Sequence, residues 1–121
     1  LGILSAVALP KFADMRTEAK EAAADGVYGA AQSAAALNHA KYLVSEEETE
    51  TPAEDFITTG TLLLAAMDGT PDGWVAGTTD DTQICLDENG DDDCNDTDDN
   101  YIITIDKIED DSTKAQLLKS W

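Results

Sequence analysis

Basic side chains are scarce in this chain of 121 residues. Lysine and arginine together number 7, against 26 aspartate and glutamate residues, and the formal net charge is -19. Such a surface repels the phosphates of nucleic acids and the head groups of anionic lipids, so neither is expected as a partner. It also repels other copies of the same chain. A homopolymer would therefore need counter-ions, a buried apolar seam, or both.

Histidine and cysteine are nearly absent, and catalytic motifs are absent altogether. His39 is the single histidine, and no acid or cysteine lies three or four residues from it. The chain has no Gly-rich phosphate loop, no Cys-x-x-Cys pair and no serine motif with the context of a nucleophile. We therefore predict that the protein is not an enzyme and that His39 is a packing or surface residue.

Aromatic residues are too few and too scattered along the sequence to predict a sugar platform or an electron-hopping ladder. They are expected to be core or surface residues: Tyr28, Tyr42, Trp74, Tyr101 and Trp121.

The chain begins with a short apolar run, residues 1–9, that ends at Pro10. It falls far short of the roughly 20 residues that span a bilayer. It also lacks the basic flank and the cleavage site of a complete signal peptide, and no Met precedes it. We expect a chain that is processed, truncated or incompletely represented at its start.

A long helix is predicted for residues 11–44. Apolar residues recur there mostly at steps of three and four, which predicts one buried stripe. The stripe consists of Phe12, Met15, Ala19, Ala22, Val27, Ala30, Ala34 and Leu37. Pro10 removes a backbone hydrogen bond, which predicts a kink or local melting nearby. Gly26 and Gly29 indicate either close packing on the chain's own sheet or close approach of another backbone.

The remainder, residues 45–121, is predicted to be a small acidic head. An acidic loop follows the helix, and residues 56–67 form either a short helix or a buried strand. Strands are expected at residues 74–76, 83–86 and 101–105, with Ile108 extending the last. Residues 112–121 form either a helical turn or a final strand. The order predicts an α+β fold in which a small antiparallel sheet buries one face on the C-terminal half of the helix.

The first thirteen residues, with the Ala-rich helix after them, resemble the N-terminal assembly helix of type IV pilins and type II secretion pseudopilins. Within this family, mannose-sensitive-haemagglutinin-type pilins are the most similar. The matching residues are Gly2, Ile3, Leu4, Ala6, Val7, Ala8, Pro10 and Phe12. The resemblance covers residues 1–44 and implies a ladle-shaped subunit.

By that resemblance, the chain is a major pilin that polymerises with identical subunits into a helical extracellular filament on the bacterial surface. It would be anchored in the inner membrane before assembly, would have a methylated N-terminus and would require the pilus assembly machinery. The expected filament interface is Leu1, Gly2, Ile3, Leu4, Val7, Leu9, Pro10 and Phe12. The alternatives are a major pseudopilin of type II secretion and a secreted calcium-binding or adhesive module.

A strongly acidic loop lies at residues 87–99, where eight of thirteen residues are Asp or Glu. Oxygen ligands at alternate positions around Gly90 suit Ca²⁺ and are similar to the start of an EF-hand loop. The candidate ligands are Asp87, Asn89, Asp91, Asp93 and Asp96. Two features depart from that motif: Asp92 stands where the motif has Gly, and no clear terminal Glu is present. The alternative is a solvated acidic loop that binds ions diffusely.

Cys85 and Cys94 are predicted to form a disulfide that closes this loop. A metal-binding pair is the alternative, but no further Cys or nearby His completes such a site. Asn95-Asp96-Thr97 is a sequon for glycosylation at Asn95, a short pattern that arises often by chance.

Overall fold

A computed structural model describes residues 2–45, 56–94 and 100–121, with side-chain placement in the first range given for residues 16–44. The element order is one long helix, one short helix and then strands. Helix α1 spans Gly2–Ser45 and helix α2 spans Gly60–Ala66. The α+β class predicted from the sequence is confirmed.

Helix α1 continues through Pro10 without interruption. The predicted local melting is therefore not present in the single chain, whereas a kink at Pro10 and unwinding in an assembled filament stay predictions. A proline within a helix removes one backbone hydrogen bond and crowds the carbonyl one turn earlier, at a cost of about 3 kcal/mol. The surrounding alanines and leucines favour the helical state strongly enough to keep the neighbouring turns intact. In the described part of the chain, no helix is both long enough and apolar enough to cross a membrane.

Helix α2 resolves the ambiguity of residues 56–67 in favour of a helix. Thr59 is its N-cap, and its hydroxyl accepts a hydrogen bond from the backbone N–H of Leu62 at 3.3 Å. This bond satisfies one of the amides that the first helical turn leaves without a partner. The short helix can then turn Leu63 inward, where it is fully buried.

The described strands form one antiparallel sheet in the order β1-β2-β3-β4. Their bounds are Trp74–Ala76, Gln83–Leu86, Ile102–Lys107 and Gln116–Lys119. The predicted strands are all present, and the C-terminal segment is a strand rather than a helical turn. The extension to Ile108 is wrong, because β3 ends at Lys107 and the Ile108 side chain is half exposed.

One face of the sheet supplies the core. Ile84 pairs with Ile103, and Ile105 pairs with Leu117, so that the four side chains lie together on the buried face. Small alanines of α1 pack against this face, which confirms the expected helix-on-sheet arrangement. The buried alanines of the helix are Ala24, Ala31, Ala34 and Ala35.

Candidate functional site

The outward side of α1 carries no charged residue between Ala19 and Val44. Ten exposed residues spaced one to four positions apart form a continuous surface, which we call the free face. It consists of Ala19, Ala22, Gly26, Gly29, Ala30, Ser33, Ala36, Leu37, Ala40 and Val44. Leu37 is 70% exposed and Val44 is 85% exposed. In a chain with net charge -19, so long an uncharged surface is unusual, and surfaces of this kind are suited to packing against another molecule.

The free face includes most of the described residues of the stripe that the sequence predicted to be buried. Of these, Ala34 is buried and Val27 is partly buried, whereas Ala19, Ala22, Ala30 and Leu37 are exposed. The prediction of the buried face was therefore wrong for most of its length. Alanine occurs on both sides of α1, so hydrophobic periodicity does not distinguish the side facing the sheet from the side facing outward.

Gly26 and Gly29 are not required by packing inside this chain. A Cβ atom built at either position meets no other atom within 4 Å. Each glycine nevertheless costs a helix about 1 kcal/mol relative to alanine. Of the two interpretations of these glycines, packing on the chain's own sheet is wrong, and the approach of another backbone is the one that fits the open space.

The predicted filament-interface residues from Gly2 to Phe12 lie on the N-terminal part of α1, whereas Leu1 lies outside the described residues. At about 1.5 Å per residue, the helix of 44 residues is about 66 Å long. Among the residues of α1 whose side chains are described, contacts with the head include Lys20, and Thr17 lines a pocket shared with the head.

Polar contacts on the flanks of α1 attach the helix to the head. Lys20 Nζ lies 2.7 Å from Glu88 Oε1, and Lys119 Nζ lies 2.8 Å from Asp25 Oδ1. The indole N–H of Trp121 also donates to Asp25 Oδ1, at 2.8 Å. Hydrogen bonds from Lys119 and Trp121 lower the pKa of Asp25. The hydrogen bond and charge of Glu88 raise the pKa of Lys20.

Three aromatic rings join α1 to the sheet at the same place. The rings of Tyr28 and Tyr101 approach Trp121 edge to face, with centroids 6.2 and 5.5 Å away. The Tyr28 hydroxyl donates to the carbonyl of Leu117 at 3.1 Å. The fold therefore brings together aromatic residues that look scattered in the sequence, and their core role is confirmed for the buried Tyr101 and Trp74.

The acidic loop has a defined backbone in its described part, residues 87–94. Asp87 accepts hydrogen bonds from the amides of Gly90 and Asp92, at 2.7 and 3.1 Å. Asn89 accepts from the amide of Asp91 at 3.1 Å, and Asp91 accepts from the amide of Asp93 at 3.0 Å. The predicted ligands therefore order their own loop, since their oxygens hold backbone N–H groups in successive tight turns.

Two residues of this loop adopt a left-handed backbone, Gly90 with φ 83° and Asp92 with φ 59°. Asp92 thus adopts the backbone conformation that glycine provides in the EF-hand motif. The residue type at this position did not predict that conformation. Among the described residues, however, no group of three or more His, Cys, Asp or Glu is placed to hold a metal ion. Calcium binding stays a prediction, and Asn95 and Asp96 lie outside the described residues.

Asp93 connects the acidic loop to the turn between β1 and β2. Its Oδ1 accepts from the amides of Cys94, Thr78 and Thr79 at 2.7, 3.0 and 3.4 Å. Its Oδ2 accepts from the Thr79 hydroxyl at 2.9 Å. These donors, first the Thr78 amide, hold the pKa of Asp93 far below its usual range. The carboxylate predicted as a calcium ligand is therefore occupied as a structural acceptor.

The disulfide between Cys85 and Cys94 is confirmed, with Cα atoms 5.6 Å apart. Both cysteines are buried. In the chain-entropy description, closing so short a loop stabilises the folded state by about 2–3 kcal/mol.

His39 has an acidic neighbour that helical spacing did not reveal. Its Nδ1 lies 3.4 Å from Oε1 of Glu109, whose side chain is fully buried. The other oxygen of Glu109 accepts from Asn38 Nδ2 and from the backbone N–H of Ile57, both at 2.8 Å. The cluster joins α1, the segment before α2 and the segment after β3. Glu109 is 52 to 71 positions from the other members in the chain, so sequence spacing alone gave no signal for it.

None of the protein-family models, curated proteins or solved structures compared with this chain matches it.

Proposed function

We propose that this protein is a structural subunit, the major pilin of a type IV pilus-like filament. The free face of α1 carries this proposal. From Ala19 onward, the charged residues exposed on α1 lie on the other sides of the helix: Lys20, Glu21, Asp25 and Lys41. Their exclusion from the free face keeps an apolar seam open on a chain that otherwise repels its copies.

The N-terminal part of α1 is the second feature that supports this proposal. Residues 1–13 are apolar apart from Ser5 and Lys11. Burial of one large aliphatic side chain contributes about 1.5–3 kcal/mol. Several such side chains in each copy suffice to offset repulsion between acidic heads that face solvent. The chain would then assemble with identical subunits, with the helices inside and the heads outside.

The long helix with a small antiparallel head supports a pilin-like ladle. Before assembly, the proposed subunit is anchored in the inner membrane, and the assembly machinery then adds it to an extracellular filament. A pseudopilin of type II secretion uses the same packing without long surface fibres. Bound Ca²⁺ at residues 87–96 would reduce repulsion between neighbouring heads.

Electron microscopy of material sheared from producing cells tests this proposal. We expect micrometre-long fibres that contain this chain, and we expect a chain that lacks residues 1–9 to form none while its head keeps its melting temperature. Short assemblies without surface fibres would support the pseudopilin. Fibres from the shortened chain, or a full-length chain that stays monomeric, would exclude the filament subunit and leave a secreted module.

A further inference from the structure

A groove of about 510 Å³ runs along one edge of the free face. One wall is α1 between Ala23 and Leu37, and the other is the segment from Ala66 to Pro71 that links α2 to β1. The side chains and backbone that shape it include Gly26, Ala30, Leu37, Met67, Asp68 and Pro71. Among its lining residues, Asp68 is the one that carries a charge.

The shape of the groove is suited to a helix. Gly26 forms part of its floor, and nothing lies within 4 Å of a Cβ built there, so a second backbone can approach closely. Leu37 stands at one end with 70% of its surface exposed. The α1 wall extends over about 21 Å, since it covers fourteen helical steps of about 1.5 Å.

The chain itself contains one segment that matches this groove in length and charge. This segment is residues 1–13, of which residues 2–13 form part of α1 and measure about 16 Å from first to last Cα. Lys11 is the single charged side chain of that segment, and its sign is opposite to that of Asp68. Outside α1, residues 56–67 form an uncharged run of similar length, but Ile57, Leu63 and Met67 of that run are buried in the core of the head.

We infer that the groove binds residues 1–13 of a second copy of this chain. The inference rests on the proposed filament, and it adds which surface of the head receives the neighbouring helix. The contact joins two different surfaces, so each copy keeps one groove and one N-terminal segment available. Such a contact does not close on itself and propagates into a helical polymer. Asp68 is exposed at the rim, so its pairing with Lys11 sets the register more than the affinity.

Photocrosslinking in assembled filaments tests the inference. Leu37 is replaced by a photoreactive benzoylphenylalanine, which keeps a large apolar side chain at the end of the groove. The matched control carries the same group at Asp106, an exposed position of β3 outside the groove. Filaments are grown from a mixture of isotopically light and heavy subunits, irradiated, digested and analysed by mass spectrometry.

We expect mixed light–heavy products that join position 37 to residues 1–13, and none from position 106. Filaments in which position 37 crosslinks to another part of the chain, or to no part of it, would overturn the groove contact and leave the filament proposal standing. Failure of the unmodified full-length chain to form filaments would overturn both.

Discussion

Glu109 and His39 face each other inside the head, with 3.4 Å between Oε1 of the glutamate and Nδ1 of the histidine. Both atoms are buried, and no hydrogen bond to other described groups satisfies them. A carboxylate placed so deeply is stable only when its oxygens have partners. Asn38 and the Ile57 amide satisfy one oxygen, which leaves the imidazole as the partner of the other.

Removal of this carboxylate should destabilise the head strongly. We expect Glu109→Ala to lower the free energy of unfolding by about 3 kcal/mol, because it leaves the buried donors of Asn38 and Ile57 without an acceptor. Asp106→Ala, at an exposed carboxylate of β3, is the matched control and should change it by less than about 0.5 kcal/mol. Urea unfolding measures both. Equal stabilities of the two variants would show that the buried cluster contributes nothing.

Substitution of the open glycines should stabilise the isolated chain. Gly26→Ala and Gly29→Ala should each raise the free energy of unfolding by up to about 1 kcal/mol, because the helix gains a better former and the added methyl meets no atom. Gly60→Ala should have the opposite effect, since its Cβ would overlap the carbonyl of Gln83. Thermal unfolding distinguishes the three. A loss of stability at Gly29 would mean that this glycine serves the fold of the single chain.

Acid should weaken the attachment of the acidic loop. The pKa of Asp93 is lowered by the amides of Thr78 and Cys94, so its contribution is complete above the ordinary aspartate pKa of about 3.9. This contribution of Asp93 to the stability of the fold is lost as the pH falls below that value towards the lower pKa of the folded state. Asp93→Asn should flatten the fall in melting temperature below about pH 4, and Thr79→Ala should flatten it less. An unchanged acid profile in Asp93→Asn would exclude this role.

The calcium prediction is tested by melting temperature in the presence of the ion. A specific site should stabilise the fold by about 1.4–2.7 kcal/mol at calcium concentrations 10- to 100-fold above its dissociation constant. Extracellular sites bind with millimolar or submillimolar constants. Asp87→Asn with Asp91→Asn should remove the shift, whereas Asp106→Asn should retain it. No shift at about 10 mM calcium would leave a solvated acidic loop.

The helices and strands of this fold could be predicted from the residues within each segment, whereas the contacts between these segments could not. The β-branched residues of 101–105 predicted β3, and the Ala-rich run predicted α1, because both signals lie within a few neighbouring residues. The Cys85–Cys94 pair was predicted for the same reason. The side of α1 that faces the sheet was not predicted, since alanines on both sides of the helix have similar hydrophobicity. The contacts of Asp25 with Trp121 and of His39 with Glu109 depend on how the head folds back on the helix.

Charge placed on the free face tests the central claim most directly. Ala22 and Ala40 are exposed there, so substitution at both should leave the fold of the single chain intact. Two double variants of equal size are compared, Ala22→Glu with Ala40→Glu and Ala22→Gln with Ala40→Gln, by electron microscopy of sheared filaments. The account predicts filaments from the glutamine variant and none from the glutamate variant, with equal melting temperatures of the monomers. Filaments of equal number and length from both would contradict it.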